Sequence, residues 1–107
     1  MAELFPEIES FEWDKGNITK NWGKHRVTHF ECEEIFFNEP LVIKEDTGHS
    51  GTENRYYVLG KTDSERLLFI VFTLRGRKIR VISARDMSVK ERRVYNEAVK
   101  KNAEIQE

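Results

Sequence analysis

Arg66 to Arg85 reads RLLFIVFTLRGRKIRVISAR, two apolar runs on either side of Gly76–Arg77. Runs of this length, rich in Val, Ile and Phe, are central strands buried on both faces. A two-residue loop with glycine first suits a type II′ turn, whose twist matches that of the strands it joins. In the resulting register Arg75 opposes Lys78, Thr73 opposes Arg80 and Val71 opposes Ile82. Directly opposed residues share a face. Arg75, Lys78, Thr73 and Arg80 then lie on one side. Leu74, Ile79, Phe72, Val81, Ile70 and Ser83 lie on the other, the core side. Arg75 and Lys78 repel unless an anion lies between them or solvent screens them. The hairpin is therefore a core element that also displays cations, and two readings stay open: a solvated sheet end, or an anion site.

Upstream of the hairpin, Leu41–Glu45 and Arg55–Gly60 are further strands, separated by the polar loop DTGHSGTEN at 46–54. Phe11–Asp14 is a short strand that runs into a helix cap. Asp14 or Asn17 can cap a first helix ending near His25. Asn17, Asn21 and Gly23 lower its propensity, so it should be short. Thr28 with Glu31 forms a capping box for a second helix, with Cys32, Ile35 and Phe36 on its core side. Asn38-Glu39-Pro40 ends it, because the residue before proline avoids helical geometry. Ser88 with Glu91 caps a final helix, on which Val89, Arg92, Tyr95/Asn96 and Val99 trace one side. The order is strand, two helices, four sequential strands, helix. Short connections make the strands an antiparallel meander. With the helices on one sheet face, the fold class is α+β in two layers.

The 107 residues suit one domain, residues 1–107, with 1–10 and 101–107 peripheral. Charged residues are 35% of the chain and hydrophobic ones 38%, yet seven Phe, three Tyr and two Trp supply a core. One cysteine, Cys32, excludes an internal disulfide and a Cys-pair zinc site, and reads as a packing residue. No apolar run approaches the ~20 residues of a membrane span, and the N-terminus lacks a signal peptide's pattern. A reducing cytoplasm is the expected compartment. The net charge of −1 hides a polarity. Residues 1–54 hold five Lys/Arg against twelve Asp/Glu, and residues 55–93 hold eleven against four. Either the basic half holds a polyanion or the two halves neutralise each other across the fold.

No phosphate loop, nucleophile elbow or metal-ligand spacing is present, so no metal or cofactor is expected. What remains is Arg, Lys, His and Tyr. His25 can move protons near neutrality, or with Lys24 can simply complement a helix C-terminus. His49 lies in the polar loop with nothing to hold it. Arg85 ends a strand, while Arg92 and Tyr95 lie one turn apart on the last helix. Guanidinium recognises phosphate and spreads the charge of its transition state, and Tyr can stack a base. Alternatively Arg92 forms a surface ion pair and Tyr95 belongs to the core.

Several segments together resemble the BrnT toxin family. They are Phe11-Glu12-Trp13-Asp14, Asn21, Lys24-His25-x-Val27-Thr28 and Phe36-Phe37-Asn38-Glu39-Pro40. Arg55-Tyr56-Tyr57-x-Leu59-Gly60, Arg66-Leu67-Leu68-Phe69, Arg80-Val81-Ile82-Ser83-Ala84-Arg85 and Glu91-Arg92-x-x-Tyr95 complete the set. The resemblance implies a RelE-like bacterial ribonuclease toxin of a type II toxin–antitoxin pair, cleaving RNA without metal to inhibit translation. Its partner would be a BrnA-like ribbon-helix-helix antitoxin, with promoter DNA bound only through the complex. The catalytic set would be His25, Lys24, Arg80 and Arg85, and the substrate-binding set Arg75, Lys78, Arg92 and Tyr95. Arg26 stands where the family often has Gly, which would favour a left-handed helix end. The alternative is a binding module without catalysis that meets an antitoxin or nucleic acid through its basic sheet.

Overall fold

A computed structural model describes residues 8–46 and 54–106. Its centre is the hairpin of β4 (Leu67–Arg75) and β5 (Lys78–Asp86). Gly76 turns between them at φ 59°, a value glycine adopts without steric cost. Outside glycine, positive φ occurs among the described residues only at Arg26 and Glu65. Arg77 therefore keeps the negative φ of a type II′ turn.

The near-turn register is as the sequence predicts, with Arg75 opposite Lys78 and Thr73 opposite Arg80. It then slips. Phe72 pairs with Val81 but Val71 pairs with Ser83, so Ile82 is the extra residue of a bulge. Beyond it the faces exchange. Ala84, not Ser83, enters the core, and Arg85, opposite Phe69, joins the face that carries Arg75 and Arg80.

β2 (Val42–Glu45) and β3 (Arg55–Lys61) extend the sheet antiparallel to β4, and β1 (Ser10–Phe11) pairs with β5 in parallel. The order is β1-β5-β4-β3-β2. The sheet is thus mixed, not the purely antiparallel meander expected. β1 is laid down before two helices have reversed the chain, so it arrives beside β5 running the same way. The 46–54 loop, with His49, lies largely outside the described residues.

α1 (Lys15–His25) and α2 (His29–Ile35) cover one face. Asp14 and Thr28 cap them, each in a reciprocal capping box. Val27, Cys32, Ile35 and Phe36 pack there on Val58, Leu68, Ile70, Phe72, Ile79, Val81 and Ala84. α2 approaches so closely that a Cβ on Gly60 would lie 3.1 Å from that of Ile35.

α3 (Val89–Gln106) lies on the other face, where Tyr95 packs with Leu59 and Met87 against Val42, Leu67 and Phe69. The helices therefore flank the sheet on both sides, and the two-layer expectation is corrected. Along β3 and β4 successive residues alternate between the two cores, which is why those strands read as continuously apolar. The docking stripe of α3 is also shifted from the one expected. Glu91, Tyr95, Ala98 and Asn102 face inward, while Val89 and Val99 are 58% and 40% exposed.

β5 has a strand partner on its outer edge only as far as Phe11. Past that point α1 takes over. Asn17 donates to the Val81 carbonyl (3.2 Å), and Asn21 accepts from the Ala84 N–H (3.1 Å). Both asparagines are buried and span the stretch containing the bulge. The residues that weaken α1 as an isolated helix latch it to the sheet.

Candidate active site

The asparagine latch makes α1 run alongside β5 in the same direction. His25, at the end of α1, and Asp86, at the end of β5, consequently arrive at one end of the molecule. Arg66, from the β3–β4 turn, ties them together. Its Nε and Nη2 grip Asp86 at 2.7 and 3.1 Å, and its Nη1 reaches Glu31 at 3.1 Å. The same guanidinium donates to the carbonyls of His25 (3.3 Å) and Arg26 (2.9 Å). It thereby occupies the electron-rich end of α1.

Hydrogen bonding from Arg66 holds the Asp86 carboxyl below the usual carboxylate range, and the charges of His25 and Arg92 act in the same direction. Burial acts against ionisation of Glu31, but the Thr28 N–H and Arg66 outweigh it and its carboxyl also sits low. Arg66 thus binds Asp86 directly, while one imidazole from the first half of the chain and the Arg92 guanidinium lie close enough for charge on them to act on it.

Arg26 completes the end of α1. It takes left-handed geometry, φ 56° and ψ 39°, and its N–H returns to the Trp22 carbonyl at 3.0 Å. The turn that glycine would favour forms with Arg instead, its guanidinium 5.2 Å from the centre of the Trp22 ring.

Arg85 lies next to Asp86 along β5. It forks onto Glu91 at 2.8 and 2.9 Å and stands 4.2 Å over the Phe69 ring. Glu91 also accepts the Ser88 N–H as part of the α3 cap, and Arg85 first of all holds its carboxyl low. Arg92 and Lys24 are exposed nearby on α3 and α1.

The remaining cations of the predicted set lie elsewhere. Arg80 pairs with Asp14 at 2.8 Å and Arg75 lies 3.7 Å from Glu12, both at the start of α1. His25 is at the far end of that eleven-residue helix, about 16 Å away. The structure does not bring Arg75, Lys78 and Arg80 to His25. The anion beside Arg75 and Arg80 is Glu12 itself, whose Oε2 is buried between them without a hydrogen-bond donor. Tyr95 is 1% exposed and its hydroxyl donates to the Pro40 carbonyl at 2.9 Å. Burial pushes its phenol up to about 12, and in this position it is a packing residue that offers no ring face to a base. Cys32, also in the core, has its thiol pushed up to about 12 by burial.

Residues 13–91 match the family described as ribonuclease toxin, BrnT, of type II toxin-antitoxin systems. The chain belongs to the BrnT family. No curated protein matches it. His25, Arg66, Asp86 and the Arg85–Glu91 pair all fall within the BrnT match, and Arg92 follows it directly. As a BrnT-family chain it carries a ribonuclease toxin domain with an antitoxin partner and RNA as the family's substrate. Among the described residues no three His, Cys, Asp or Glu side chains converge as metal ligands. No described helix is long and apolar enough to cross a membrane.

Sequence reasoning missed Arg66 and Asp86. Arg66 opens the RLLF run and Asp86 follows Arg85, so each sits where a strand ends. Beyond the place of Arg66 in the family resemblance, local sequence carries no other signal for them, because Arg66 meets Asp86 across 20 residues and Glu31 across 35.

Proposed function

We propose that this chain is an endoribonuclease that cleaves RNA without a metal, and that its site is the cluster of His25 and Arg92 around Asp86. The observation that carries the reading is that one guanidinium, Arg66, binds both the Asp86 carboxylate and the carbonyl of His25, which brings the end of α1 to the end of β5. RNA supplies its own nucleophile, the 2′-hydroxyl, which attacks the adjacent phosphorus and expels the 5′-oxygen. The protein needs to move two protons and stabilise charge on the phosphorane. His25 transfers protons. Arg92 and Arg85 hold the phosphate, with Lys24 as a supporting cation. Arg66 and Asp86 are positioning residues that fix the end of α1 and therefore the imidazole.

The same reading makes the fold RelE-like, translation the inhibited process, the cytoplasm the compartment and a BrnA-like ribbon-helix-helix protein the antitoxin, with promoter DNA met only through the complex. Incubating the chain with defined RNA in EDTA tests it. Cleavage should persist in EDTA and fall at least ~10²-fold in His25→Ala, the lower end of what a general acid–base contributes. Unchanged cleavage by His25→Ala would remove the imidazole from the mechanism.

One observation favours a second reading, a binding module without catalysis. Arg66, Arg75, Arg77, Arg80 and Arg85 all pair with carboxylates of the same chain. Expression without a neighbouring antitoxin gene separates the two, since only the ribonuclease arrests growth.

A further inference from the structure

Four adjacent strands each contribute one residue to a row across the face of the sheet that carries α3: Arg85, Phe69, Tyr57 and Lys44. Arg85 is directly opposite Phe69, and Tyr57 directly opposite Lys44. The two rings between them stack at 5.6 Å and 30°. Arg85 covers the outer side of Phe69, so the ring left toward the sheet edge is that of Tyr57, half-buried with Lys44 beside it.

A groove of about 340 Å³ opens there between the sheet and the first turns of α3, lined also by Leu59, Lys90 and Val94. Glu91 also lines it, but both its oxygens are engaged by Arg85. Lys44 and Lys90 are exposed and have no ion pair among the described residues. The groove is therefore lined by apolar and aromatic side chains with two exposed lysines beside them. That is the chemistry of a flat ring attached to a phosphate.

We propose that this groove is a nucleotide subsite, in which one base of single-stranded RNA stacks on Tyr57 while Lys44 and Lys90 hold the flanking phosphates. The proposal rests on the ribonuclease reading for its choice of RNA. Glu91 lines the groove, and its partner Arg85 precedes Asp86 on β5. A strand seated in the groove therefore continues toward the His25 cluster, and the seated base would influence where cleavage falls.

The test uses the full chain carrying His25→Ala, so that RNA survives, and fluorescein-labelled uridine and adenosine heptanucleotides. An abasic ribose-phosphate heptamer of equal length serves as the comparison. Tyr57→Ala should weaken binding of the base-carrying oligomers about tenfold, within the range measured for loss of one stacked base. Binding of the abasic oligomer should not change. Tyr57→Phe, which keeps the ring, should restore binding and shows that the site folds. Paired Lys44→Ala and Lys90→Ala substitutions should weaken all three oligomers and flatten the salt dependence.

Equal loss for the abasic oligomer, or no loss in Tyr57→Ala, overturns the subsite. In either case RNA cleavage by the unmodified chain would leave the catalytic reading intact. If Tyr57→Ala instead prevents co-purification of the chain with its antitoxin while RNA binding is unaltered, the groove is a protein-docking surface and the proposal fails.

Discussion

Arg66 ties together three elements that are distant from it in sequence. It joins α1, α2 and β5 through charged hydrogen bonds, each worth about 1.5–3 kcal/mol when the partner group is charged. Arg66→Ala should lower stability by about 2 kcal/mol, on the order of 10 °C in melting temperature for a domain of this size. It should also reduce RNA cleavage, because the carbonyl end of α1 loses its anchor. Thermal melts and cleavage assays on the same preparation check both. Tyr95→Phe removes the hydroxyl that donates to Pro40 but keeps the packed ring. It should lose about 1 kcal/mol of stability and retain full cleavage. A large fall in cleavage with an unchanged melt would return Tyr95 to the site. At Arg26 a side chain occupies left-handed backbone at a cost of roughly 1–2 kcal/mol. Arg26→Gly should therefore raise the melting temperature, less whatever the contact with Trp22 contributes.

At the scale of elements, the bulge at Ile82 and the asparagine latch act together. The bulge falls in the ladder between β4 and β5, while the outer edge of β5 loses its strand partner where β1 ends. On that outer edge Asn17 and Asn21 bond Val81 and Ala84, one on either side of the bulged Ile82, and so hold the strand across it. Asn21→Ala would leave the buried Ala84 N–H without an acceptor, which costs about 1–3 kcal/mol. Hydrogen exchange at Ala84 should accelerate in this variant more than exchange in β3, which the latch does not touch. The sequence announces the hairpin clearly, since turn chemistry and apolar runs agree. It does not announce the bulge, because a single inserted residue leaves hydrophobicity almost unchanged while it exchanges every face beyond it. α3 illustrates a similar limit. Its apolar residues Val89 and Val99 suggest one stripe, yet the helix buries the larger Tyr95 and the valines turn outward.

Over the whole molecule, charge is arranged so that the acidic first half meets the basic second half. Glu9 pairs with Arg77, Glu12 with Arg75, Asp14 with Arg80 and Glu31 with Arg66. Asp14, Glu31, Asp86 and Glu91 all hold protons less tightly than ordinary carboxyls. The unfolded chain then binds more protons than the folded one as acid is added, so stability is full above about pH 4–5 and is lost as pH falls through the lowered values. Melting temperature measured from pH 7 down to pH 3 should be level and then drop, and Arg66→Gln should soften the drop. A curve unaffected by that substitution would mean that other carboxylates govern acid unfolding.

The sequence by itself determined the elements and the family: capping boxes, apolar runs and a glycine turn act over a few residues, and their physics is local. Tertiary structure alone decided which cations meet. The polarised charge allowed either a polyanion site or internal pairing, and folding assigned most guanidiniums to internal carboxylates. Only the direction of α1 along β5, imposed by two asparagine side chains and a parallel β1, carries His25 toward Arg66 and Arg92 and away from Arg80. Contacts between residues tens of positions apart depend on how elements stack, and no short stretch of chain encodes that.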